Sequence, residues 1–147
     1  MKSTASQWEN SLELSWSDIE AQIENLANKI EKTGFEFEKI ATLTRGGLVP
    51  SRLIADKFDI KSILVDKNKI PKKTLFVDDI YDTGDTFRKI FPLVESPNKF
   101  LYATLVARKG LSYPKQLVYS KLIEGKEYVV FPWDRLEYFR KKKSPKP

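Results

Sequence analysis

Between residues 78 and 86 the chain places four aspartates, two threonines and a glycine: Asp78, Asp79, Asp82, Thr83, Gly84, Asp85 and Thr86. Adjacent carboxylates such as Asp78 and Asp79 are hard oxygen donors for Mg²⁺ or acceptors for a sugar diol. Thr83 and Thr86 add hydroxyl donors, and Gly84 lets the backbone come close to an anion. A helix cap needs one Asp or Thr, whereas this stretch holds far more than a cap uses. The bland alternative is a capped helix whose acids solvate the turn. The chemistry otherwise suggested is the binding of a ligand bearing both hydroxyl and phosphate groups.

Such residues need an element to hold them. Leu75, Phe76 and Val77 read as a short buried strand that ends at the carboxylates, and Phe87, Ile90 and Phe91 mark one face of a following helix. In open α/β sheets, ligands lie at the carboxyl ends of strands, where first-turn amides collect phosphate. A second such unit precedes it. Ile40 to Leu43 reads as a strand, Thr44-Arg45-Gly46-Gly47 as a loop, and Pro50 fits the first turn of a helix carrying Leu53, Ile54 and Phe58. The guanidinium fork of Arg45 matches phosphate oxygens, although Arg-Gly-Gly alone is often only a turn.

Val77–Thr86 resembles the 5-phosphoribosyl pyrophosphate (PRPP) motif of the type I phosphoribosyltransferases: two acids, two intervening residues, Asp-Thr-Gly and a further Thr. Arg45-Gly46-Gly47 followed by Leu48-Val49-Pro50 resembles the family's pyrophosphate loop. The resemblance spans roughly residues 15–140. It implies an α/β fold: a mostly parallel twisted sheet flanked by helices, with a small C-terminal hood. It also implies roles for particular residues. Asp78 and Asp79 would hold the ribose hydroxyls directly or through Mg²⁺, and the loop through Asp85 and Thr86 would wrap the 5′-phosphate. Arg45, Gly46 and Gly47 would face the leaving pyrophosphate, and Asp82 would accept or steer the purine proton. Arg108 stands where 6-oxopurine members carry a lysine that donates to O6, with Lys109 beside it. Tyr128-Val129-Val130-Phe131-Pro132-Trp133-Asp134 resembles the xanthine-guanine enzymes, with Tyr128 placed to stack on the base. Asp134 with Glu137-Tyr138-Phe139-Arg140 resembles the human-type hypoxanthine-guanine enzymes, in which the Asp helps hold Mg²⁺ and the Arg contacts pyrophosphate.

The function so implied is that of a Mg²⁺-dependent pentosyltransferase. It would move 5-phosphoribosyl from PRPP to a 6-oxopurine, guanine first, with xanthine and hypoxanthine open. The family habit implies a homodimer, which can double to a tetramer. One departure stands out. Catalytic members usually carry a long mobile loop before the PRPP-motif strand, whereas here only residues 66–73 separate the two strands. A partner subunit, the N-terminal segment or the Lys-rich link would then cover the site, or chemistry is slow or lost. The link could instead form a basic rim for pyrophosphate. The alternative function is a non-catalytic PRPP- or nucleotide-binding regulator on the same fold.

Composition bounds these readings. At 147 residues the chain is read as one domain over 1–140, followed by a basic, disordered tail over 141–147. With no Cys and no His, a zinc site of those residues, a disulfide and a histidine base are all excluded. Neither a signal-peptide pattern nor a long apolar run is found, which points to a cytoplasmic protein without a membrane span. The formal charge is +6, but five basic residues and no acid fall in 140–147, leaving the rest at +1. Without exposed aromatics interspersed among the lysines, nucleic acid is the least favoured partner. Helices are expected near 17–32, with Ser17 and Glu20 as a capping box, and near 49–58 and 84–91. Strands are expected near 39–43, 62–65, 74–78 and 100–107, with shorter ones at 117–119 and 128–131.

Overall fold

The computed structural model describes residues 10–143, the side chains of 142 and 143 excepted. In chain order its elements are β1 (Ser11–Glu13), α1 (Trp16–Thr33), β2 (Lys39–Thr42), α2 (Leu48–Phe58), β3 (Ser62–Val65), β4 (Thr74–Tyr81), α3 (Asp85–Ile90), β5 (Leu101–Arg108), β6 (Leu117–Ile123), β7 (Tyr128–Val130) and α4 (Arg135–Lys143). The described residues form two compact units, one of residues 21–124 and one of residues 10–20 with 125–143.

The larger unit holds a five-stranded sheet in the order β3-β2-β4-β5-β6, every neighbouring pair parallel. Parallel neighbours need a crossover, supplied between β2 and β3 by α2 and between β4 and β5 by α3. The central strands are buried on both faces, so they appear in the sequence as unbroken apolar runs. Leu75, Phe76 and Val77 of β4 and Leu101 to Ala107 of β5 are all buried. Phe76 stacks on Tyr102 at 5.1 Å between ring centroids, and Phe87 of α3 meets the same tyrosine edge-on at 5.2 Å. Pro92 ends α3, and Phe91–Leu93 tightens into a 3₁₀ turn.

In the smaller unit, β1 pairs in parallel with β7, Leu12 opposite Val129. Tyr138 of α4 donates its hydroxyl to Ser11 Oγ at 3.2 Å, and Phe131 stacks on Trp133.

Several expectations need correcting. The PRPP-motif strand does not stop at the carboxylates: β4 runs through Tyr81, so Asp78 and Asp79 are strand residues. The capping box of α1 is Ser15 with Asp18, each side chain accepting the other's backbone N–H, and not Ser17 with Glu20. The C-terminal third divides, with β6 joining the main sheet and only residues from 125 onward falling in the smaller unit. Helix α4 continues through Lys143, three residues into the stretch read as a tail. Trp8, read with Leu12 and Leu14 as an edge, lies outside the described residues. No helix among those described is long and apolar enough to cross a membrane.

Candidate active site

At the carboxyl end of β2, Thr42 donates its hydroxyl to the Val77 carbonyl of β4 at 2.7 Å, tying the two loop-bearing strands together. The loop that follows, 43–47, fits closely over β4. A Cβ on Gly47 would collide with Thr42 Oγ1 and stand 2.8 Å from the Val77 carbonyl oxygen; one on Gly46 would stand 2.6 Å from Asp79 Oδ2. Gly47 is therefore required by its close approach to the β4 backbone, and the Gly46 backbone lies against the Asp79 carboxylate. The Thr44–Arg45 peptide bond is cis. Asp66, just past β3, accepts from the backbone N–H of Thr44 at 2.9 Å and from its hydroxyl at 2.7 Å. These bonds, with the nearby charge of Lys89, hold the Asp66 carboxyl below its usual pKa.

The acidic pair is not symmetrical. Asp78 is buried, accepting from the Asp79 N–H at 2.8 Å and from the Tyr102 hydroxyl at 3.1 Å. Desolvation outweighs those bonds and raises its pKa, while burial and the two acids push the Tyr102 hydroxyl well up. Both Asp78 oxygens are thus engaged with protein groups, and Asp79, half-buried against Gly46, is the more accessible donor.

Beyond β4 the chain turns over Tyr81. Gly84 has φ +89°, and a Cβ there would meet the Tyr81 hydroxyl at 2.7 Å. Thr83 Oγ1 accepts from the Asp85 N–H at 3.3 Å, and Arg88 braces the outer side by donating to the Asp85 carboxylate and the Thr83 carbonyl. The bond to Arg88 is the main cause of a lowered Asp85 pKa. Asp85 therefore shapes the loop. Helix α3 has only six residues, so loop amides and hydroxyls, more than a helix dipole, offer the anion contacts.

These parts enclose one cavity of about 340 Å³, lined by Gly46, Asp78, Asp79, Asp82, Thr83, Gly84, Asp85 and Thr86 among the candidates from the sequence. Leu43, Thr44, Tyr81, Lys89 and Tyr102 also line it and were missed. For Lys89 the signal was present: it stands three residues after Thr86 on a helix, hence on the same face. Arg45 and Gly47 sit in the adjoining loop. At the end of β5, Arg108 Nε donates to Asp82 Oδ1 at 2.8 Å, so Arg108 joins the cleft through a residue lining it. Lys109 does not: its ammonium pairs with Glu124 at 3.2 Å, past the end of β6. Tyr128, Asp134 and Arg140 belong to the smaller unit. There the half-exposed Tyr128 ring stacks near Tyr138 at 6.1 Å.

No cluster of three acidic, His or Cys side chains suited to a metal exists among the described residues. Two adjacent carboxylates, one of them accessible, still suit Mg²⁺, which keeps waters and substrate oxygens in its shell.

No family model matches the chain. It is 24% identical over 151 aligned positions to a xanthine-guanine phosphoribosyltransferase of Nitratidesulfovibrio vulgaris, covering 90% of each chain. Among solved structures, a purine phosphoribosyltransferase from Pyrococcus horikoshii aligns with TM-score 0.69 at 22% identity, over 84% of this chain and 94% of that one. The Helicobacter pylori xanthine-guanine-hypoxanthine phosphoribosyltransferase aligns with TM-score 0.72 at 17% identity, over 87% and 97%. The fold is that of the type I phosphoribosyltransferases. In sequence the chain is similar to curated xanthine-guanine phosphoribosyltransferases, and in fold to solved purine phosphoribosyltransferases.

Proposed function

We propose that the chain is a Mg²⁺-dependent purine phosphoribosyltransferase, transferring 5-phosphoribosyl from PRPP to N9 of a 6-oxopurine and releasing pyrophosphate. The observation that carries this reading is the packing of Gly46 against Asp79. It puts the Arg-Gly-Gly loop and the acidic loop at one cleft, with Asp82 and Arg108 at its rim. The sequence relative named above, a xanthine-guanine phosphoribosyltransferase, supports the same class of reaction.

In this reading Asp78 and Asp79 hold the ribose diol, the 83–86 loop takes the 5′-phosphate, and Arg45 with the Gly46 and Gly47 amides takes the pyrophosphate. Mg²⁺, held from the protein side chiefly by Asp79, would neutralise charge on the departing pyrophosphate. The bond from C1′ to the pyrophosphate oxygen breaks, the bond from C1′ to N9 forms, and the N9 proton leaves toward Asp82 or solvent. The oxocarbenium-like carbon makes positioning and charge stabilisation the larger part of catalysis. Paired with Arg108, the Asp82 carboxylate is held in place, which suits steering a proton.

Arg108 has donors and no acceptor, so it matches O6 of an oxopurine and opposes the amino group of adenine. An unpaired contact of that kind costs about 1–3 kcal/mol, roughly ten- to a hundredfold in discrimination. Lys109, held at Glu124, is set aside as the reader of the base. Tyr128 as the stacking ring, Asp134 as a metal ligand, Arg140 as a pyrophosphate contact and a homodimeric, cytoplasmic protein remain part of the proposal.

The test is isothermal titration of PRPP with Mg²⁺, followed by pyrophosphate release with guanine, xanthine, hypoxanthine and adenine. Release with guanine well above adenine is expected. Equal use of adenine would refute the role given to Arg108. PRPP binding without release with any base would favour a second reading, a non-catalytic binder. That reading has one observation behind it: the 66–73 link is fastened down. Ile70 is buried and donates its N–H to the Leu93 carbonyl, the Glu95 N–H returns to the Ile70 carbonyl, and Lys72 N–H bonds Glu95.

A further inference from the structure

Three tyrosine rings run in series beneath the cleft, and each touches a different part of it. Tyr102 donates to Asp78, and its ring meets Tyr81 edge-on at 6.3 Å. Tyr81 lies beneath Gly84 of the phosphate loop and meets Tyr113 edge-on at 5.7 Å. Tyr113, from the loop between β5 and β6, donates its hydroxyl to the Arg108 carbonyl at 2.6 Å. Arg108 is thereby held at two points, its guanidinium by Asp82 and its backbone by Tyr113.

We propose that Tyr113 is a positioning residue for base recognition, fixing the Arg108 end of β5 through the bond from its hydroxyl to the Arg108 carbonyl. Packing alone would be served as well by phenylalanine, and the hydroxyl is what the ring contacts with Tyr81 and Tyr119 do not require. Burial and the neighbouring tyrosines push its pKa up, so it remains a donor across the neutral range. A backbone carbonyl fixed at the strand end leaves the Arg108 side chain fewer ways to swing, and preorganisation of this kind is gained as affinity.

The inference rests on the reading of Arg108 as the base contact, and the experiment separates the two. Ribose 5-phosphate and guanosine 5′-monophosphate are titrated calorimetrically into wild type, Tyr113→Phe and Tyr113→Leu, with melting temperatures measured alongside. Wild type should bind the nucleotide more tightly than the sugar phosphate. In the Phe variant nucleotide affinity should fall by about five- to tenfold, one hydrogen bond's worth. Its sugar-phosphate affinity should stay unchanged, and its melting temperature should stay close to wild type. The Leu variant should lose the same selectivity and also melt lower. Equal loss for both ligands in the Phe variant, or loss confined to the Leu variant, would make Tyr113 a packing residue and overturn the proposal. A wild type that gains nothing from the base overturns the reading of Arg108, and the proposal with it, before any variant is compared.

Discussion

Asp78 and Asp79 show how neighbouring identical residues acquire different tasks from their surroundings. Alternation along β4 turns Asp78 inward onto Tyr102 and leaves Asp79 against Gly46 at the cleft. Asp78 binds its proton more tightly in the folded chain than in the unfolded one, whose ordinary value is 3.8. Between that value and its raised folded pKa, the folded state holds more protons, so stability falls as pH rises; below the window the penalty disappears. Asp78→Asn carries no charge to desolvate, and its amide fills the same space. It should therefore be more stable than wild type at neutral pH, by about 0.5–2 kcal/mol, the usual gain when a functional residue is relieved of strain or burial cost. The gap should close as pH falls toward 4, and PRPP affinity should drop at neutral pH. Melting curves from pH 4 to 8 check this; an Asn variant less stable at neutral pH would contradict it.

The elements were legible in proportion to how apolar they are. β4 and β5 stand out because both faces of each are covered, and α2 and α3 because each follows a loop ending in glycine. What could not be read was pairing between distant residues. Nothing in Ser11–Glu13 announces a parallel partner at Tyr128–Val130, and nothing marks Asp66 as the support for Thr44. That contact exists only because β2 and β3 run in register, Thr42 opposite Val65, which brings the two strand exits side by side. Sequence reasoning likewise ended β4 too early, since two acids look like the end of a strand until a buried tyrosine is known to receive one of them. Asp66 itself has φ +56°, a left-handed conformation that Asn tolerates and Ala does not. Asp66→Asn should then weaken PRPP binding slightly, and Asp66→Ala by about three- to tenfold through a loosened 44–47 loop. Calorimetric titration of PRPP into both variants decides it, and equal affinities would show that the loop holds itself.

At the scale of the whole molecule the question is how water is kept from the reacting carbon. Transfer through an oxocarbenium-like state competes with attack by solvent, and enzymes of this chemistry limit the competition by closing over the substrate. The short link cannot serve here. Ile70 is part of the core that includes Phe76, Tyr81 and Phe87, and its backbone bonds on both sides to the turn after α3. The cleft faces its substrate with loops already fastened: 44–47 to Asp66, and 82–86 over Tyr81 and under Arg88. A rigid open cleft binds quickly and excludes water poorly. With PRPP and Mg²⁺ but no base, the chain should release ribose 5-phosphate and pyrophosphate at a measurable share of its transfer rate. That is the outcome expected where none of the described loops closes over the substrate. Ribose 5-phosphate and nucleotide can be measured side by side by chromatography at fixed PRPP. Hydrolysis below about a thousandth of transfer would mean that something outside the fastened loops closes the cleft.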